Sequence, residues 1–213
     1  MFITICGIDG SGKTTLGRRL ALELEQGASL SQQPPRVVFT KLIDKDSEFV
    51  RYYKMLVDVD PLFDGTSQNY VFAFERMRTA NEVLRRLLAT HDVVIIDRYV
   101  YCDFAYSRAR GRDSSMYYTV LKHVPVPDVG FVIDVPVEIA LDRIAARQVP
   151  AWIFQENREL LARARETYLQ VAREFGLEVI DGAAPVERSI QTIFERLRAC
   201  DIKPYRDSAS AKV

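Results

Sequence analysis

Residues 7–14, with the sequence GIDGSGKT, constrain the fold of this 213-residue chain more than any other feature. They match the phosphate-binding pattern GxxxxGK(S/T) at every position. An apolar run at 2–6 precedes them, and a segment with helical periodicity at 13–26 follows. In a strand, loop and helix of this order, main-chain N–H groups and the positive end of the helix dipole converge on phosphate oxygens. The segment therefore predicts a loop that binds the phosphates of a nucleotide.

The loop residues have distinct predicted roles. Gly10 and Gly12 permit main-chain conformations that a Cβ atom would hinder. We expect the Lys13 ammonium group to reach the β- and γ-phosphates and the Thr14 hydroxyl to bind Mg²⁺. The residues predicted to bind ATP are Gly7, Asp9, Gly10, Ser11, Gly12, Lys13, Thr14 and Thr15. Kinases, hydrolysing motors and switches all use such a loop, so other residues must decide between these classes.

Short apolar runs alternate with longer periodic segments along the rest of the chain. Strands are predicted over 2–6, 37–42, 93–96, 129–135 and 177–180, and helices over 13–26, 47–58, 68–90, 137–147, 155–175 and 185–199. Completely apolar strands between helices are typical of a parallel sheet that is covered on both faces. We therefore predict an α/β fold, a doubly wound parallel sheet flanked by helices, with ligands at the carboxyl ends of the strands.

Composition excludes several classes of function. Lys plus Arg number 29, as do Asp plus Glu, which argues against broad electrostatic binding to nucleic acid or to an anionic membrane. Cys6, Cys102 and Cys200 have no metal-binding spacing and are predicted to be free thiols. No apolar run approaches transmembrane length. We predict a cytoplasmic protein with neither a nucleic-acid nor a membrane partner.

Several segments occur in the order found in a known family. They are GIDGSGKTT at 7–15, FAFER at 72–76, DRYVYCDFAY at 97–106, PDVGFVIDVP at 127–136 and IFQENRELLARARETYLQVA at 153–172. Together they resemble the thymidylate kinase family over most of residues 1–198. The resemblance implies a single P-loop kinase domain over 1–200, with a short lid at about 147–155 and a polar C-terminal tail at 201–213. It also implies that the γ-phosphoryl group of ATP passes to a deoxynucleotide, either dTMP or a dTMP-like, modified nucleotide.

The resemblance gives roles to residues that would bind the acceptor nucleotide. Arg98 would hold the acceptor phosphate, for which a planar, bidentate guanidinium is well suited. Phe72 would stack on the base, and Arg76, one helical turn later, would hydrogen-bond to its edge. Asp9 would accept a hydrogen bond from the sugar 3′-hydroxyl, and Tyr106 would crowd the 2′ position.

The sequence departs from the family pattern mainly where the acceptor and the lid are expected. Lys41 stands where an arginine would grip the acceptor phosphate, and Asp103 stands where some members have an asparagine for the base N3–H. Cys102 replaces a serine, while Trp152 and Phe154 alter the lid. These changes leave a modified or alternative deoxynucleotide open as the acceptor.

Catalysis in the family needs an arginine on the transferring phosphate. Ser11 occupies the loop position that holds this arginine in some members, so the lid region must supply it, from Arg143 or Arg147. Such an arginine can contribute ~10³–10⁵ in rate. The catalytic residues are therefore predicted to be Lys13, Arg98, Arg143 and Arg147, and the Mg²⁺ ligands Thr14 and Asp97. ATP and a nucleoside monophosphate are the predicted partners, and family members generally form homodimers.

Structural explanations remain open for several of these side chains. Phe72 and Tyr106 could simply belong to the core. Arg76 could form a surface ion pair, and Arg98 could pair with the adjacent Asp97. Arg143 and Arg147 could be solvated helix charges.

Two other functions remain open as well. A deoxynucleoside kinase would need a carboxylate base, for which Asp44 is in the right region. A non-catalytic ATP-binding module would keep the loop and lose the transfer.

Lys13→Ala and Arg98→Ala should each abolish phosphoryl transfer without unfolding the protein, because each removes a cation from the developing phosphate charge or from the acceptor. Release of ADP and the thermal melting curve of each variant check this. Full activity in either folded variant would contradict the assignment.

Overall fold

A computed structural model describes residues 1–27, 34–43, 48–59, 65–146 and 158–199. The strands are β1 (Phe2–Cys6), β2 (Val37–Thr40), β3 (Val93–Asp97), β4 (Val129–Asp134) and β5 (Glu178–Asp181). The helices are α1 (Lys13–Gly27), α2 (Glu48–Val59), α3 (Gly65–Thr79), α4 (Arg85–Thr90), α5 (Val100–Ala109), α6 (Met116–Leu121), α7 (Val137–Ala145), α8 (Arg158–Phe175) and α9 (Val186–Ala199). A π-helical turn, Ala80–Leu84, joins α3 to α4.

The five strands form one parallel sheet in the order β2-β3-β1-β4-β5. β1 lies at its centre, with Thr4 in register with Ile96 of β3 and with Gly130 of β4. Because all strands are parallel, the loops that follow β1, β3 and β4 leave the same edge of the sheet. The predicted α/β, doubly wound fold is confirmed.

The central strands β1, β3 and β4 are buried on both faces, which explains why they are apolar at nearly every position. Phe2, Cys6 and Ile96 face a core shared with α5 and α8. The alternate residues Ile3 and Ile5 face a second core, which includes buried residues of α1 and α9. Successive side chains of a strand point to opposite faces, so both sets must be apolar.

Two helices of the structure, α5 and α6, have no counterpart among the predicted elements. Most residues of α5 are buried, including Val100, Phe104, Ala105 and Ala109. A helix that is apolar on nearly every side lacks the alternation of polar and apolar faces from which helices are predicted. α6 has only six residues, too few for a periodic signal.

Other predicted elements agree with the structure to within a few residues. β2 ends at Thr40 instead of 42, because Lys41 and Leu42 leave the ladder. The predicted lid at 147–155 and tail at 201–213 lie outside the described residues. Among the helices that the structure describes, none is long and apolar enough to span a bilayer.

Phe131→Ala should lower the free energy of unfolding by about 3–5 kcal/mol, since it removes a fully buried ring from the centre of β4 and leaves a cavity. Urea denaturation measures this value. Val126→Ala, at a position that is 61% exposed, is the matched control and should change it by less than about 0.5 kcal/mol. Equal changes in the free energy of unfolding for the two variants would show that Phe131 does not belong to the core.

Candidate active site

A cavity of about 860 Å³ opens at the carboxyl edge of the sheet, between the loop after β1 and the segment after β3. The predicted site residues that line it are Asp9, Gly10, Gly12, Lys13, Thr14, Lys41, Phe72, Arg76, Asp97, Arg98, Asp103 and Tyr106. Gly7, Ser11, Thr15 and Arg143 do not line it. Arg147, the lid residues Trp152 and Phe154, and Asp44 lie outside the described residues.

The loop after β1 has the main-chain form that its glycines permit. Gly10 and Gly12 have φ values of 78° and 95°, which side chains with a Cβ rarely adopt. A Cβ on Gly10 would also lie 2.3 Å from the main-chain oxygen of Ala140, at the first turns of α7. The loop is therefore packed tightly against α7, and a larger residue at Gly10 would displace it.

Lys13 is buried at the start of α1 and folds back over the loop. Its ammonium group donates to the Ile8 carbonyl at 2.6 Å and to the Ser11 hydroxyl at 3.4 Å. Burial, together with repulsion from Arg98, lowers the pKa of Lys13 to about 8, while Asp9 and Asp97 limit the shift. The cation is thus held inside the loop by carbonyl and hydroxyl oxygens that phosphate oxygens can replace.

Thr14 and Asp97 meet across the sheet edge. The Thr14 hydroxyl donates to Asp97 Oδ2 at 2.6 Å, and Lys41 Nζ lies 3.5 Å from the same oxygen. The other oxygen, Oδ1, is buried and has no hydrogen-bond partner among the described residues. A buried carboxylate oxygen without a donor has lost its hydration and gains from a cation or an ordered water.

Thr14 and Asp97 offer the kind of oxygen ligands that Mg²⁺ prefers: a hydroxyl group and a carboxylate oxygen with a spare lone pair. Within the described ranges, no three acidic, histidine or cysteine side chains form an all-protein metal site. A magnesium ion here would therefore take further ligands from phosphates and water.

Arg98 has a strained main chain, and its side chain contacts three other residues. Its φ of 72° is in the left-handed region, which is unfavourable for a residue with a long side chain. The guanidinium donates to the Asp9 carboxylate and, at 3.4 Å, to the Tyr168 hydroxyl, and lies 5.5 Å from the centre of the Tyr106 ring. Burial alone would lower the pKa of Arg98, but Asp9, together with Tyr106, Tyr168 and Cys102, raises it well above its usual range, so the cation is permanent. Asp97, its neighbour in sequence, is not its partner.

Arg76 and Asp103 form a bidentate ion pair in the same cavity. The guanidinium donates to the two carboxylate oxygens at 2.8 and 3.1 Å, and also to the Arg98 carbonyl at 3.4 Å. Arg76 is 4% exposed, so it does not form the surface ion pair that the sequence left open. Both Asp103 oxygens accept from Arg76, and a carboxylate accepts hydrogen bonds without donating any.

Aromatic rings close the cavity on two sides. Phe72 packs edge-on against Tyr53, with ring centres 4.7 Å apart, while its neighbour Phe74 is 64% exposed. Tyr106 packs edge-on against Tyr168 at 5.8 Å, and its hydroxyl accepts from the Asp9 main-chain N–H at 3.3 Å. Phe72 and Tyr106 are thus half-buried cavity walls and do not belong to the closed core.

Arg143 lies against the outside of the loop. Its guanidinium donates to the Gly182 carbonyl at 3.0 Å and to the Ser11 carbonyl at 3.4 Å. To act on a transferring phosphate it would have to leave both carbonyls. In this position the side chain ties the loop after β5 to the phosphate-binding loop.

Several residues in the cavity or directly behind it had no role in the sequence-based prediction. Tyr168, on α8, hydrogen-bonds Arg98 from 70 positions away in sequence. Cationic side chains also line the cavity at Arg18, Lys54, Arg110 and Arg112. The equal totals of acidic and basic residues conceal this local excess of cations, and only the folded chain brings these positions together.

Comparison with known proteins gives one family. The family model described as "Thymidylate kinase" matches residues 5–193. A probable thymidylate kinase 1 of Saccharolobus solfataricus is 31% identical over 199 residues, covering 92% of this chain and 97% of that protein. A probable thymidylate kinase of Pyrococcus abyssi is 33% identical over 192 residues, covering 87% and 90%.

A crystal structure of thymidylate kinase from Ehrlichia chaffeensis superimposes with a TM-score of 0.66 at 24% identity, covering 93% of this chain and 98% of that one. This likeness supports the fold: five parallel strands with helices on both faces, and a phosphate-binding loop after the central strand.

ATP should bind more weakly as the pH rises above about 8, because Lys13 then loses its proton in the free protein. Bound phosphates favour the ammonium form, so the affinity should fall by up to about tenfold per pH unit. Calorimetric titration with ATP from pH about 7 to about 9.5 measures this dependence. An arginine at position 13 stays charged over this pH range, so the ATP affinity of Lys13→Arg should not depend on pH, however strong or weak that affinity is. If the ATP affinity of both proteins falls equally with pH, a group other than Lys13 causes the dependence.

Proposed function

The chain belongs to the thymidylate kinase family, and we propose that it transfers the γ-phosphoryl group of ATP to dTMP. It is an ATP-dependent phosphotransferase that acts on nucleotides. The observation that supports dTMP best is the position of Arg98, with Arg76 and Asp103 behind it, in the cavity that begins at the phosphate-binding loop. The proposed phosphate site and base-edge site would therefore share one cavity, next to the proposed donor site.

We assign the donor to the loop after β1. The triphosphate would lie along the loop N–H groups, with Lys13 released from the Ile8 carbonyl to contact the β- and γ-phosphates. Thr14 and Asp97 would hold Mg²⁺, which on binding would neutralise phosphate charge. Since Thr14 already contacts Asp97, both proposed ligands would be in place before the nucleotide arrives.

We assign the acceptor phosphate to Arg98, with Lys41 beside it. Asp9 holds the guanidinium from one side, which orients it before the acceptor binds and limits the entropy lost on binding. The acceptor phosphate is already anionic, so the transfer needs no general base. Positioning in line with the γ-phosphate and neutralisation of charge supply the acceleration.

We assign the base edge to Arg76 and Asp103. Thymine presents O4, an acceptor, and N3–H, a donor, which match a guanidinium beside a carboxylate. Cytosine presents an amino group and an unprotonated N3, whose lone pair would face the Asp103 carboxylate. Leaving that acceptor unpaired disfavours cytosine by about 1–3 kcal/mol. Phe72 would stack on the base and Tyr106 would crowd a 2′-hydroxyl.

The transferring phosphate also requires an arginine from the lid region. Arg147 and Arg143 remain the proposed residues. If the bonds of Arg143 to Ser11 and Gly182 persist in the closed state, Arg147 is left to make the contact.

We further propose a homodimer that forms through α2 and α3 in the cytoplasm, with no nucleic-acid partner. Large apolar side chains are exposed on these helices, including Tyr52 and Tyr70, each at 59%, and Phe74 at 64%. Exposed apolar clusters of this kind are typical of protein interfaces. Light scattering that gives the mass of one chain would contradict the dimer.

Family membership favours a monophosphate kinase over the two other functions that the sequence left open. Matches that extend over nearly the whole chain argue against a module that has kept only the loop. A deoxynucleoside kinase would use a carboxylate on a hydroxyl acceptor, whereas two basic residues, Lys41 and Arg98, line the proposed acceptor-phosphate site.

A coupled assay of ADP release tests the proposal with ATP·Mg²⁺ and a panel of acceptors: dTMP, dUMP, 5-substituted dUMP, dCMP and thymidine. We expect dTMP to have the highest kcat/KM and thymidine to be inactive. Preference for a 5-substituted nucleotide would identify a modified acceptor instead. Turnover of thymidine without turnover of dTMP would overturn the proposal that the acceptor is a nucleoside monophosphate.

Asp103→Asn should raise kcat/KM for dCMP relative to dTMP by about ten- to a hundredfold, because an amide can turn its N–H toward the cytosine N3. The KM for dTMP should also rise, since Arg76 loses its ionic partner. Asp113→Asn, an exposed position bonded to Ser115, is the matched control and should leave the ratio unchanged. An unchanged ratio in Asp103→Asn would remove Asp103 from base recognition.

A further inference from the structure

Two thiols lie in contact beneath the proposed active site. Cys6 is the last residue of β1, directly before the phosphate-binding loop, and Cys102 is in the first turn of α5. They are 0% and 3% exposed, and their side chains hydrogen-bond to each other. Neither has a role in the proposed transfer.

The two thiols differ in access and in partners. Cys102 lines the cavity, whereas Cys6 lies behind it, next to the Thr4 hydroxyl at 3.8 Å. Cys102 also hydrogen-bonds to Tyr168 and lies in the field of Arg98. A small reagent that enters the cavity therefore reaches Cys102 first, and reaches Cys6 only through it.

The surroundings make Cys102 the nucleophile of the pair. Burial raises the pKa of Cys102, but the hydrogen bond from Cys6 and the charge of Arg98 outweigh it and bring the pKa to about 6. Burial and the neighbouring Cys102 raise the pKa of Cys6 well above its usual range. A thiolate next to a neutral thiol is the arrangement in which peroxide attack and resolution proceed in sequence.

We propose that Cys102 and Cys6 are a peroxide-sensitive pair whose disulfide closes the acceptor site. The Cys102 thiolate attacks hydrogen peroxide, the O–O bond breaks, and a sulfenic acid and hydroxide form; the hydroxide takes up a proton to become water. The Cys6 sulfur then attacks the Cys102 sulfur, the S–O bond breaks, and a second water leaves with the Cys6 proton. Two electrons pass from the thiols to the peroxide.

The disulfide acts on the site through its neighbours. An S–S bond of about 2.05 Å is shorter than any contact between two thiols, so forming it pulls the Cys102 side chain, in the first turn of α5, away from the cavity wall and toward β1. Asp103 follows Cys102 directly, and the Cys102 N–H bonds the carbonyl of Tyr99, which follows Arg98. Displacing these groups by about 1 Å can lower the rate about a hundredfold.

The pair can be tested by peptide mapping after treatment with hydrogen peroxide. Trypsin should release residues 1–13, with Cys6, and residues 99–108, with Cys102. We expect these peptides to be joined, with two hydrogen atoms fewer than their sum, and dTMP turnover to fall about a hundredfold and to recover with dithiothreitol. Saturating dTMP should slow the cross-linking, because it covers Cys102.

Two variants separate this pair from other oxidation. In Cys6→Ala no cross-link can form, Cys102 is oxidised further, and dithiothreitol should no longer restore activity. Cys200→Ser removes the third thiol and should behave as the unaltered chain does. If Cys6→Ala does not fold, Cys102→Ala can be used instead. Because it lacks the thiol that reacts first, its activity should be the same before and after peroxide treatment.

The activity readout rests on the proposed function, whereas the mapping does not. A cross-link in a protein that never turns over dTMP would reject the function alone. Reversible inactivation without the joined peptides would overturn the proposed Cys6–Cys102 disulfide. Joined peptides in a fully active protein would overturn its proposed effect on the acceptor site.

Discussion

The ion pair between Arg98 and Asp9 connects the two halves of the proposed site. Asp9 belongs to the loop after β1, and Arg98 directly follows β3. These strands are neighbours in the sheet, and the Arg98 N–H bonds the Ile5 carbonyl at 3.0 Å. Arg98 adopts its left-handed main chain at the point where the strand ends and the side chain turns toward the loop. Strain of this kind costs about 1–3 kcal/mol and persists where surrounding contacts fix the conformation.

The cavity is built from cations that the protein has paired with its own carboxylates. Arg98 pairs with Asp9, Arg76 with Asp103, and Lys41 with Asp97. The Arg76 and Arg98 side chains are only 5% and 25% exposed, so either cation would be destabilising without its carboxylate partner. When phosphates bind, they meet guanidinium and ammonium groups already oriented by hydrogen bonds. In the proposed complex the same pairing would leave Asp103 as an acceptor toward the base, which would link the stability of the free protein to its choice of substrate.

Sequence patterns predicted the sheet and the glycine-rich loop after β1 because both depend on local features. The apolar strands and the run at 7–14 each carry their signal within a few residues. The helix α5 was missed because its burial on nearly all sides removes helical periodicity. The partners of Arg98 and Arg76 could not be predicted either. Pairing of Arg98 with Asp97 was the sequence alternative, but the sheet brings Asp9 to it instead.

The contacts of Tyr168 and Arg143 also could not be predicted from sequence patterns. Tyr168 lies on α8, where a buried aromatic residue gives no sign that its hydroxyl reaches Arg98. Arg143, predicted to act on the phosphate, is tied by Ser11 and Gly182, two carbonyls that no side-chain pattern encodes. Contacts to the main chain and contacts between distant helices depend on the packed fold, so they emerge only once the sheet edge is built.

A crystal structure of the protein with dTMP, Mg²⁺ and a non-hydrolysable ATP analogue would place the ligands directly. We expect the acceptor phosphate on the Arg98 guanidinium, with Asp9 still on its other side, and the thymine N3–H on Asp103. The metal should lie beside Thr14 and Asp97, with the γ-phosphate between it and Lys13. An acceptor phosphate bound away from Arg98, or a base that does not touch Arg76 and Asp103, would contradict this arrangement of the site.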